Sequence, residues 1–215
     1  MTMHLSVGFS SRPFKCIPPS GDGWLRITLE DVDRFMLADG IGHGSRACAI
    51  VDLLVQHLKW ICRRTIRITN LADCMLSMHE VLQAEGSHCQ AAVALADFDR
   101  KRAVLNLVSI GNVEAHFQTP ETAMSFPCIR GMVGGTFPRS IHESHMQVQA
   151  GGLLCLMSDG VGAHQARGYL HTLRHHCLDT RLSMQSAADG IVNSYGAVTD
   201  DASCLLIQAT PRETP

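Results

Sequence analysis

The sequence predicts an α+β fold of antiparallel sheets layered with helices. Three observations carry that expectation. Short apolar runs bounded by turn residues recur along the chain. Two stretches with helical apolar spacing lie together between the first strands and the rest. Strict β-α alternation, the mark of a parallel doubly wound sheet, is absent. With 215 residues, 46% of them hydrophobic, the chain suits a single domain over 1–215, with its core from about residue 3 to residue 209.

The elements follow in order. "HLSVGFS" alternates and reads as a strand. "WLRITLE" and "RFMLAD" read as a strand pair joined through Glu30–Asp33. From Ser45 to about Arg64, Ala49, Leu53, Leu54, His57, Leu58 and Ile61 recur at helical spacing, so a long helix is expected. Thr69 or Asn70 can cap a second helix, whose Leu71, Met75, Met78 and Leu82 form a core face and which Gly86 ends near Glu85. "CQAAVALADFD", "RAVLNLVSIGN", "EAHFQT", "HMQVQAG" and "GLLCLMSDG" then read as strands. Helices are expected over roughly 165–177 and 183–195, and "ASCLLIQAT" closes the chain as a last strand.

The bulk properties remove several functions. A net charge of −2 offers no basic field for nucleic acid. No apolar run reaches eighteen residues and the N-terminus lacks a secretory pattern, so no membrane span is expected and the chain reads as cytoplasmic. The nine cysteines are scattered, odd in number and never in a C-x-x-C pair, which suits reduced core thiols in a cytosol rather than a disulfide framework.

Four carboxylates share one local grammar: Asp22 in "SGDGW", Asp39 in "LADGIGHG", Asp159 in "LMSDGVG" and Asp200 in "VTDDASCLLI". Any one D-G pair is an ordinary turn signal. Asp39 and Asp159, however, each end an apolar strand, and Asp200 opens one. Aspartates gathered on one rim repel each other and need a counter-charge, which a divalent cation supplies. Carboxylate oxygens without Cys or His at ligand spacing favour Mg²⁺ or Mn²⁺ over zinc. The glycines let the backbone turn tightly, so that a main-chain carbonyl, here that of Gly40, can join the shell.

"GDGW", "LADGIGHG", "SIGNVEA", "RGMVGG", "LLCLMSDGV" and "TDDASCLLI" together resemble, in order, the motifs of the metal-dependent Ser/Thr protein phosphatases (PPM). Within that family they are most similar to the bacterial SpoIIE-like branch, and there to the small stand-alone RsbX-type phosphatases of the stressosome. The resemblance runs from about Ser20 to Ile207. It implies a four-layer α-β-β-α sandwich of two packed antiparallel sheets, without the flap subdomain of large relatives, and a site for two metal ions between the sheets. Asp39 would bridge both ions and Gly40 would offer its carbonyl. Asp22 would hold one ion, directly or through water, and Asp159 and Asp200 the other, with Asp201 outside the ligand set. The implied reaction is hydrolysis of phosphoserine or phosphothreonine by a water that bridges the ions. The implied partners are phosphorylated STAS-domain proteins of a stressosome-like complex. A SpoIIE- or RsbU-like phosphatase acting on an anti-sigma-factor antagonist is the alternative within this chemistry. A non-catalytic pseudophosphatase that only binds a partner is the alternative outside it, and the intact aspartates weigh against that.

Two departures from the larger relatives stand out. Arg12 is not at the spacing of their phosphate-gripping arginine. Ile41 stands where they have a histidine, and His43 comes two residues later. His43 fits either the protonation of a leaving serine oxygen or the packing of a helix start.

Other motifs carry less. His171, His175, His176 and Cys177 in "HTLRHHC" lack a carboxylate for a zinc site and read as a polar helix face. Arg63, Arg64 and Arg67 read as a solvated helix end. "RGMVGG" lacks the Lys-Ser/Thr of a phosphate-cradling loop, so no nucleotide is expected.

Overall fold

The computed structural model describes residues 2–64, 70–119, 121–162, 166, 168–170 and 183–211. Among them are strands β1 (Met3–Arg12), β2 (Asp22–Leu29) and β3 (Val32–Gly40), then helices α1 (Gly44–Arg64) and α2 (Leu71–Glu85). Strands β4 (Ala91–Asp99), β5 (Val104–Ile110), β6 (Glu114–Gln118), β7 (Ala123–Ser125), β8 (Ser144–Gln147) and β9 (Leu153–Met157) follow, then α3 (Met184–Tyr195) and β10 (Ala202–Pro211). One five-stranded sheet has the order β1-β10-β9-β6-β7 and the other β2-β3-β4-β5-β8, with antiparallel pairing throughout.

Alternating side chains make these sheets into layers. In β3, Phe35 and Leu37 face the other sheet while Met36 and Ala38 face α1 and α2. In β10, Leu205 and Ile207 enter the same central core while Cys204 and Leu206 meet α3. Burial on both faces is why such strands read as continuous apolar runs. The result is the expected α-β-β-α sandwich. No helix among the described residues is long and apolar enough to cross a membrane.

The helix ends obey local chemistry. Asn70 caps α2 by accepting from Asp73 N at 2.7 Å, and Gly86 ends it at φ 125°. Ser183 caps α3 by accepting from Ser186 N. Leu71, Met75, Met78 and Leu82 form the buried face of α2. Beneath α1 and α2, Arg34 of β3 lies opposite Asp97 of β4 and binds it through two 2.7 Å bonds.

Some expectations need correction. Strand β7 was not expected: all three of its residues are exposed, so it shows no alternation. The cysteines are not uniformly core thiols; Cys74, Cys155 and Cys204 are buried, but Cys16 and Cys128 are exposed. Most of the expected 165–177 helix, with His171, His175, His176 and Cys177, lies outside the described residues, as do Thr69 and Arg67.

Candidate active site

Strands β2 and β3 pair so that Asp22 stands directly opposite Asp39. Directly opposed residues project from the same face, so this register sets two carboxylates side by side. Beyond Asp39 the chain must turn sharply into α1. A Cβ on Gly40 would lie 2.6 Å from Ala47 O, and Gly42 and Gly44 hold φ of 91° and 69°. These glycines let the first turn of α1 close against the strand end that carries Asp39.

The other sheet supplies the remaining carboxylates from the ends of adjacent strands. Asp159 follows β9 and Asp200 precedes β10. Ser158 joins the two sheets: its hydroxyl donates to Asp22 Oδ2 at 2.7 Å and accepts from Ser203 N at 2.8 Å. Asn112, in the turn between β5 and β6, donates through Nδ2 to Asp159 Oδ2. Asp39, Asp159 and Asp200 line one cleft of about 170 Å³, together with Ile41, Gly42, Asn112 and Met132. Asp22 is only 8% exposed and is not among the residues lining that cleft.

The electrostatics follow from this crowding. Burial, then the charges of Asp22, Asp159 and Asp200, push the Asp39 carboxyl up to about 9. Burial raises Asp22 to about 6 despite the hydrogen bond from Ser158. Burial, then the neighbouring aspartates, also raises Asp200, against a backbone hydrogen bond from Asp201 and the nearby His43. Among the described residues no three His, Cys, Asp or Glu side chains already close around one metal position. The donor set nonetheless fits a hard divalent cation. Every side-chain donor is an oxygen, and Asp22 Oδ1 is buried without a hydrogen-bond partner.

The four predicted aspartates thus share one seam, with Gly40 next to Asp39. His43 is exposed at its edge and does not line the cleft; its ring stacks on Phe14 at 4.1 Å and 10°. Arg12 points elsewhere, donating to Gly196 O at 2.7 Å beyond the end of α3. Sequence reasoning missed Asn112 and Ser158, and it set Asp201 outside the ligands without seeing what it holds. Asp201 is 2% exposed and accepts from Phe14 N at 2.9 Å. The available signal was polarity at the ends of apolar strands, in "SIGN" and "LMSDG".

The sequence profile of the Stage II sporulation protein E (SpoIIE) family matches residues 31–210, most of the chain. No curated protein matches the sequence. Among solved structures, a chain from work on the bacterial stressosome as a modular system for secondary messenger signalling superimposes with TM-score 0.83. It shares 21% identity, over 95% of this chain and 100% of that one. RsbX in complex with magnesium gives TM-score 0.77 at 16% identity, over 96% of each chain. The PP2C phosphatase domain of SpoIIE from Bacillus subtilis, with a fragment of its regulatory domain, gives 0.78 at 17% identity, over 100% of this chain and 65% of that one. At these identities the structural likeness speaks for the fold, and the profile speaks for the family. The protein therefore belongs to the SpoIIE family of PPM-type serine/threonine phosphatases, a family of hydrolases.

Proposed function

We propose that this single domain is a Mn²⁺- or Mg²⁺-dependent phosphoserine/phosphothreonine protein phosphatase. Its substrates are phosphorylated STAS-domain proteins of a stressosome-like complex. The observation that carries the reading is the meeting of Asp22, Asp39, Asp159 and Asp200 at one seam, with a buried, unpartnered Asp22 oxygen. The substrate assignment draws support from the likeness to a stressosome chain and to RsbX. The likeness to the SpoIIE phosphatase domain favours, as a second reading, a phosphatase of an anti-sigma-factor antagonist.

In this reading Asp39 would hold both ions and Gly40 would offer its carbonyl, Asp22 would hold one ion, directly or through water, and Asp159 and Asp200 would hold the other. When bound, the ions supply the positive charge that activates an attacking water and neutralises the phosphoryl oxygens. The chain's own part is placement. Ser158 fixes Asp22 across the seam between the sheets, and Asn112 fixes Asp159. Asp201 holds the Phe14 backbone, and the Phe14 ring seats His43 beside Asp200, at the mouth of the cleft. From there the imidazole can give a proton to a departing serine oxygen.

The test is phosphate release from a phosphorylated STAS-domain protein. Turnover should appear on titration with manganese or magnesium and vanish with a chelator. A phosphoprotein left intact at every metal concentration would sink the reading.

A further inference from the structure

The mouth of the cleft carries a second kind of chemistry. Phe14–Cys16 form a tight turn in which Lys15 and Cys16 adopt left-handed φ of 51° and 59°. L-residues avoid that region, so a turn that holds two of them in succession is fastened from outside. Lys15 N donates to Val198 O at 2.8 Å, and Phe14 N donates to Asp201. The turn is thereby bound to the loop that carries Asp200.

The side chains around this turn are unusual for a solvent face. Ile17 is 66% exposed and Val198 54%, while Ile41, on the cleft wall, is 47% exposed. The other large apolar side chains exposed to this degree among the described residues, Trp60, Leu76 and Met124, lie away on α1, α2 and β7. Lys15 stands over the Phe14 ring at 4.9 Å and makes none of the ion pairs found among the described residues.

We propose that Ile17 and Val198 form a docking rim for the phosphoprotein substrate, seating apolar side chains that flank its phosphorylated residue. This rests on the phosphatase reading above and narrows its substrate class. The rim is continuous with the cleft, because Val198 is two residues from Asp200, which lines it. A phosphoserine held in the cleft places its neighbours within a few residues' reach, at about 3.3 Å per residue. Charge complementarity points to the same occupant. The cleft itself is lined by acid, so Lys15 is the positive charge at its mouth that an arriving phosphate group meets.

The experiment compares two fluorescent phosphoserine peptides that differ only in having leucine or serine two residues to either side of the phosphoserine. Fluorescence anisotropy reads binding, phosphate release reads kcat/KM, and p-nitrophenyl phosphate reads chemistry without a flanking chain. Wild type should bind and turn over the leucine peptide about tenfold better, the scale of partly burying two apolar side chains. The double variant Ile17→Ser/Val198→Ser should lose that preference and keep p-nitrophenyl phosphate turnover. Trp60→Ser, which removes an exposed apolar residue elsewhere, should keep both. Equal handling of the peptides by wild type overturns the rim, as does a preference that survives in the double variant. If p-nitrophenyl phosphate and both peptides stay uncleaved with manganese, the phosphatase reading falls, and the anisotropy comparison alone still decides the rim.

Discussion

Strand β3 carries ionisable side chains near both ends, and the two ends are managed in opposite ways. Near its start, Arg34 meets Asp97 on the neighbouring strand through two bonds of 2.7 Å. Positive and negative charge are matched within the chain, and only 1% of Arg34 is exposed. Near its finish, Asp39 meets Asp22, Asp159 and Asp200, all of the same sign. Among the described residues, no Lys, Arg or His lines the cleft that Asp39, Asp159 and Asp200 share. The first arrangement is complete on folding. The second is left short of positive charge by construction, which is the state expected where a cation is the missing partner.

Substitutions at the two ends should therefore differ in kind. Asp39→Asn removes the central carboxylate and nearly preserves shape. Phosphatase activity should fall by about a thousandfold or more, the scale of losing charge stabilisation at a reacting centre. Metal-free stability should hold or rise, because three carboxylates crowd less than four. A variant that retains activity, or that unfolds more easily without metal, would erase the contrast. Arg34→Ala should do the reverse. It leaves Asp97 buried and unpaired beneath α1 and α2, a cost of about 3–5 kcal/mol in urea unfolding. A loss below about 1 kcal/mol would mean that the pair is not sealed from water.

The layers were legible in the sequence because burial on both sheet faces leaves long apolar runs, and the aspartates were legible because they interrupt those runs at their ends. Register was not legible. The expected strand began at Trp24 and left Asp22 outside it, whereas β2 begins at Asp22 and so pairs it with Asp39. The two-residue turn at Glu30 and Asp31 fixes that pairing, whereas the expected joint ran from Glu30 to Asp33. The Arg34–Asp97 pair stayed hidden because two helices separate its strands in the chain, so no local feature aligns them, although both residues stood within apolar runs. Asn112 and Ser158 are lone polar residues with no period, so only the fold shows whom they hold. Asp201 follows Asp200 directly, and nothing local separates them; only the family resemblance set Asp201 outside the ligands, and it is 2% exposed while Asp200 faces the cleft.

The difference between the ends also predicts how each answers to pH. A carboxyl whose folded value lies above its unfolded value binds its proton more tightly when folded, so it favours the folded state at low pH. That advantage fades as pH rises from the ordinary carboxylate range toward the folded value. Asp39, pushed up to about 9, and Asp22, at about 6, both behave in this way. Metal-free protein should thus melt lower at pH 8 than at pH 5.5, by roughly 5 °C for a chain of this size. Saturating manganese should flatten that slope, because the ion replaces the protons that the cluster otherwise holds, and its affinity should rise with pH over the same window. In Asp39→Asn the slope should shrink even without metal. A metal-free protein whose melting temperature climbs from pH 5.5 to pH 8 would show that the aspartates are already compensated, and the two ends of β3 would then be alike.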